Sequence, residues 1–86
     1  MNEQARHPAT EQILRWFSSE HLQPGPPRDR AQDCKAMAHM MVRSLPDGPE
    51  LTTGLRKLLE AKDCFVRAAL EQAWNDAGHD GEPARR

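Results

Sequence analysis

The sequence has no tyrosine, and its aromatic residues are two phenylalanines and two tryptophans among 86 residues. Aromatic packing is therefore confined to Trp16, Phe17, Phe65 and Trp74, and so short a chain buries only a thin core when it folds alone. An excess of one charge is also missing. Twelve Lys and Arg oppose thirteen Asp and Glu, for a formal net charge of −1, so the field of the whole molecule does not draw it onto duplex DNA or an anionic membrane. Any site for a polyanion must be local. No apolar run approaches the roughly 18 residues of a membrane span, and the start, MNEQARHPATEQ, lacks the basic-then-apolar order of a secretory signal. The expectation is a cytoplasmic protein with neither DNA nor membrane as partner. Two cysteines, Cys34 and Cys64, show no CxxC spacing, and His7, His21, His39 and His79 are scattered, so neither a metal site nor a cofactor is expected.

What is present is punctuation and helical periodicity. Residues 1–9 and 78–86 are polar and aperiodic and read as flexible tails around a helical domain at 10–77. Thr10 is placed to cap a short helix from Glu11 to about Ser19, with Ile13, Trp16 and Phe17 on its apolar side. Pro24, Gly25, Pro26 and Pro27 break the chain. A second helix follows from about Arg28 to Leu45, its face formed by Ala31, Cys34, Ala38, Met41, Val42 and Leu45. After the turn SLPDGPE, Pro49 suits the first position of a third helix, which continues to about Ala77, where Gly78 stops it.

The fold class expected is all-α: a short N-terminal helix plus a long antiparallel helical hairpin. At 1.5 Å per residue the second and third helices span roughly 27 Å and 42 Å, so they cannot cover each other. About four turns of helix three, carrying Phe65, Val66, Ala69, Leu70 and Ala73, are expected to project beyond its partner. An uncovered apolar stripe of this kind marks a subunit interface, and a homo-oligomer is expected.

One residue in helix three is out of place. Leu51, Leu55, Leu58, Leu59, Phe65, Val66, Ala69 and Ala73 share a stripe, and Lys62 falls in its middle. Either its stem packs on the leucines while the ammonium reaches the rim or meets a carboxylate, or the ammonium waits for a ligand phosphate. Arg28, Arg30 and Lys35 crowd the start of helix two. They either bind an anion together with the free N–H groups there or form solvated pairs such as Arg30 with Asp33. Arg56, Glu60, Asp63, Arg67 and Glu71 form a charged ladder at helical spacing. Glu60 and Asp63 make a single ExxD pair, where Mg²⁺-dependent hydrolysis needs two. No nucleophile–base set or phosphate loop has recognisable spacing, so the chain is not expected to be an enzyme.

Two stretches carry a resemblance. LRWFSSEHL at 14–22 is similar to an FxYxHL-type segment, and LPDGPELTTGLRKLLEAKDCFVRAA at 45–69 resembles LPxxxExxxALRKLLEAKDxxVRAA; both belong to the phage-type cyclic-oligonucleotide sponges that counter CBASS and Thoeris immunity. The resemblance implies a homo-hexamer with pockets between protomers that sequester cyclic dinucleotides, cyclic trinucleotides or cyclic ADP-ribose isomers without cleaving them. It places the family's base-stacking aromatic at Ser19, leaving base contacts to Trp16, Phe17 or His21. A basic residue at the start of helix two falls at Arg30, with Ala31 the alternative, and an arginine of helix three falls nearest Arg67. Arg28, Lys35 and Lys62, the cations noted above as possible anion contacts, would meet phosphates beside them. The rival expectation is an oligomeric helical interaction module that keeps the scaffold and binds no nucleotide.

Overall fold

The computed structural model describes residues 7–78, and the expected tails at 1–6 and 79–86 lie outside the described residues. Three helices make up the fold: α1 (Pro8–Arg15), α2 (Pro26–Ser44) and α3 (Pro49–Asp76). No strand occurs among the described residues. The connection 45–48 is short, so α2 and α3 return along each other as an antiparallel hairpin. Helix α1 packs across both.

Both long helices begin with the same device. Gly25 and Gly48 stand at the N-cap with φ of 141° and 157°, a backbone that side chains disfavour. In each case a proline follows at the first helical position, with φ already helical and no N–H to satisfy. Pro26 and Pro27 thus open α2 rather than belonging to the break before it. At the far end Ala77 caps α3 and Gly78 follows at φ 100°, the left-handed stop expected of glycine.

The start of α1 differs from its sequence reading. His7, not Thr10, is the N-cap, its Nδ1 accepting from the Ala9 N–H at 3.0 Å. Residues 8 and 9 are therefore helical rather than part of a tail. Thr10 sits inside the helix, fully buried, and its hydroxyl donates to Asp47 Oδ1 at 3.0 Å. The His7 N–H donates to Asp47 Oδ2 at 2.9 Å, so the turn between α2 and α3 clamps the beginning of α1. The helix also ends earlier than expected, at Arg15, with Trp16 as its C-cap.

The core joins all three helices: Ile13 and Phe17 from the α1 region, Cys34, Ala38 and Val42 from α2, and Leu51 and Leu55 from α3. Ala31, Cys34, Ala38 and Val42 recur at helical spacing, and their small volumes let α3 lie close. Leu58 and Leu59 pack at the margin. Helix α3 is nine residues longer than α2 (28 against 19), roughly 14 Å, so the projecting length is about two and a half turns and not four. Phe65 still lies beside Arg30 and Cys34 of α2. The large apolar groups left on the projecting end are Leu70 and Trp74, 53% and 41% exposed.

Candidate functional site: a cationic hollow under the α1–α2 connection

The connection 16–25 does not run out into solvent but crosses α3. Phe17 packs into the core with no exposed surface, and Ser19 is buried, which pins the segment on the hairpin. His21 and Leu22 then lie over Lys62, Asp63, Val66 and Arg67 of α3, enclosing a shallow hollow of about 140 Å³. His21 and, about forty residues further on, Lys62 and Arg67, all singled out for binding, meet here.

Lys62 is 7% exposed. Its Nζ donates to the Trp16 carbonyl at 3.2 Å and lies 3.7 Å from Asp63 Oδ1. The Trp16 carbonyl belongs to the C-cap of α1, where unpaired carbonyls and the negative end of the helix dipole favour a cation. The lysine in the apolar stripe is therefore first a structural part: its ammonium closes the end of α1 from a neighbouring helix. Lys62 also lines the hollow, so its charge acts on any anion placed there. Arg67, exposed, has a guanidinium nitrogen 3.4 Å from Cys64 Sγ. Asp63 is 56% exposed on the same rim and offsets part of the positive charge.

The cations at the start of α2 are arranged differently. Arg30 Nε pairs with Asp33 Oδ2 at 3.0 Å, both side chains being at least half exposed, as in an ordinary solvated pair. Lys35 lies 4.0 Å from Glu20 Oε2. Glu20 is held below its usual value of 4.5 by a backbone N–H, the Ser18 hydroxyl and the Lys35 charge. Arg28 buries its Nε with no hydrogen-bond partner. Arg28, Arg30 and Lys35 thus do not converge with Lys62 and Arg67 on the hollow.

Two expectations for base contacts change. Phe17 is a core residue and presents no face to a ligand, because the chain turns inward directly after α1; Ser19 is likewise enclosed at 2% exposure. Trp16, 62% exposed, is the aromatic of this segment that remains available for stacking. Cys34, a core residue as read, has its thiol pushed above 9.0 by burial and by Asp33, against the opposing fields of Lys62 and Arg30. Cys64 is exposed.

The hollow can hold a phosphate-sized anion by charge and N–H donors, but nucleotide-sized pockets run to about 300–1,000 Å³. A nucleotide would need a second wall. Among the described residues no three of His, Cys, Asp and Glu gather as metal ligands, and no helix is long and apolar enough to cross a membrane. No family model, curated protein or solved structure matches the chain.

Sequence reasoning missed Leu22 and Val66 as walls of the hollow and Asp47 as the clamp on α1. Val66 lies on the expected apolar stripe of α3 and Leu22 on no expected pattern, and the two are brought together only by the crossing of the connection. Asp47 stood in the turn SLPDGPE, where an acidic residue carries no signal of a distant partner.

Proposed function

We propose that the protein is a non-enzymatic binder that sequesters cyclic nucleotide signals, cyclic di- or trinucleotides or cyclic ADP-ribose isomers, in pockets completed between protomers of a homo-oligomer, with a hexamer favoured. The observation that carries this reading is the gathering of His21, Lys62 and Arg67 around one small hollow beside the exposed Trp16. Its size fits one phosphate on each protomer, and the segment resemblance at 14–22 and 45–69 gives the ligand class. In this reading Arg67 and Lys62 neutralise phosphate, Trp16 stacks on a base, and Arg28, Arg30 and Lys35 act from the facing protomer. Binding lowers the free signal by mass action, with no bond made or broken.

The test is thermal melting with a panel of those cyclic nucleotides. A ligand present at a hundred times its dissociation constant adds about 2.7 kcal/mol, a rise of roughly 10 °C or more for a domain of this size. Arg67→Ala and Trp16→Ala, both at exposed positions, should abolish the rise without lowering the ligand-free melting temperature. Lys62→Ala is a poor probe because it also unseats α1. No rise with any of the nucleotides sinks the reading.

A second reading, an oligomeric helical interaction module without a nucleotide, is favoured by one observation: Ser19 and Phe17, both expected at the ligand, are enclosed in the protomer. That reading gains if the panel is silent while the protein remains associated.

A further inference from the structure

On one side of the hairpin the crease between α2 and α3 is unfilled. Near the connecting turn it opens into a hollow of about 410 Å³, bordered by Met41, Leu45, Leu51, Gly54 and Leu55. Toward the other end it continues past Met37 and Leu58, which belong to both halves, into a second depression of about 350 Å³ that ends at Phe65, Arg30 and Asp33. Met37, Leu45 and Phe65 are 46%, 44% and 52% exposed. The lining of both hollows is predominantly apolar.

Gly54 is the residue that needs explaining. It lies in the interior of α3, where glycine costs about 1 kcal/mol relative to alanine. Nothing lies within 4 Å of where its Cβ would be, so no packing inside the protomer requires its absence. A helix-interior glycine facing an open groove provides room for a group arriving from outside.

We propose that this groove is a self-association surface, in which a second copy lies antiparallel across it and each Phe65 enters the hollow over the partner subunit's Gly54. The surface is self-complementary in the way a two-fold pairing requires. A projecting ring stands at one end and a vacant hollow at the other. With an axis crossing α3 near Leu59, Phe65 and Gly54 lie on opposite sides of it, six and five residues away along the helix. At the rim Arg30, with its ion-pair partner Asp33, borders the Phe65 end and Glu50 the Gly54 end, so the pairing sets Arg30 against the partner subunit's Glu50 twice, with Asp33 opposing part of the attraction. This inference rests on the homo-oligomer of the proposed reading but not on nucleotide binding, and its test contains no nucleotide.

The experiment is sedimentation equilibrium of the full chain over a wide concentration range, with circular dichroism as the check on folding. The wild-type chain should associate. Phe65→Glu and Gly54→Leu should each weaken association by about a hundredfold or more, as loss of a central aromatic anchor does, while both keep wild-type helicity because both positions are exposed. Arg30→Glu should weaken association and the double variant with Glu50→Arg should restore it, a rescue that only self-pairing predicts. A wild-type chain that stays monomeric overturns this inference and the homo-oligomer together. A wild-type oligomer indifferent to Phe65→Glu and Gly54→Leu overturns this surface alone and moves the interface elsewhere, to the end bearing Leu70 and Trp74.

Discussion

Replacing Lys62 by methionine tests the account of the misplaced lysine most directly, because it keeps an unbranched apolar stem and removes only the ammonium. The change loses one charge-assisted hydrogen bond to the Trp16 carbonyl, a class contributing about 1.5–3 kcal/mol. Against this stands relief of the cost of holding a charge in a position only 7% exposed. The carbonyl left behind at the C-cap of α1 is partly buried, and stranding it adds to the loss. The balance is a net destabilisation of about 1–2 kcal/mol, or roughly 4–16 °C in melting temperature for a domain of this size. Lys62→Ala also removes three methylenes, worth about 2 kcal/mol more. Melting followed by circular dichroism gives the global loss. Amide exchange locates it, and the exchange of residues 13–17 should accelerate more than that of α2. A Lys62→Met protein that melts at or above the wild-type temperature would refute the reasoning, since the burial cost would then equal or exceed the value of the bond.

The remaining expectations concern the clamp and the cysteines. Asp47→Ala removes the acceptor for both His7 N–H and the Thr10 hydroxyl and should destabilise by about 1–2 kcal/mol; unchanged amide exchange in α1 would show that the clamp is idle. Cys64, exposed, should be alkylated rapidly by iodoacetamide, and Cys34, buried with a raised thiol pKa, only at the rate of opening; peptide mapping that found equal labelling would contradict the core placement. The folded protein prefers the neutral Cys34 thiol, so its contribution is fully present below the usual 9.0 and is lost as pH rises beyond it; Cys34→Ala should flatten the alkaline fall in melting temperature. Glu20 has the opposite sign: its lowered pKa stabilises above 4.5 and that contribution is lost toward acid, and Glu20→Gln should remove its small share of the acid slope.

The hairpin was legible in the sequence because its boundaries are written in residues with strong local physics. Gly48–Pro49 and Gly78 set the limits of α3 to within a residue, and the recurrence of Ala31, Cys34, Ala38 and Val42 identified the buried face of α2. Helix α1 was misplaced at both ends. A histidine cap is weak evidence against a nearby threonine, and the buried role of Thr10 depends on Asp47, 37 residues away. Trp16 and Phe17 could not be told apart by periodicity, because they follow the last helical residue and a turn, not a helix, decides which ring points inward. The binding candidates divide along the same line. Arg30 with Asp33 is a local pair and was anticipated. The meeting of His21 with Lys62 and Arg67 depends on where the connection crosses α3, which no local pattern encodes.

Helix α1 has eight residues, well short of the roughly 12–15 at which an isolated helix becomes even marginal in water. Both of its ends are finished by groups it does not own, Asp47 at the start and Lys62 at the end. The expectation is that it forms only after the hairpin has assembled these groups, with its contacts absent from the folding transition state, and chevron kinetics of variants at Asp47 and Lys62 would check this. Changes at Asp47 or Lys62 then act as brakes released on one side of the barrier: they hasten unfolding and leave the refolding rate nearly untouched. For a cell the difference is one of lifetime rather than yield, the same number of molecules reaching the native state but each leaving it sooner.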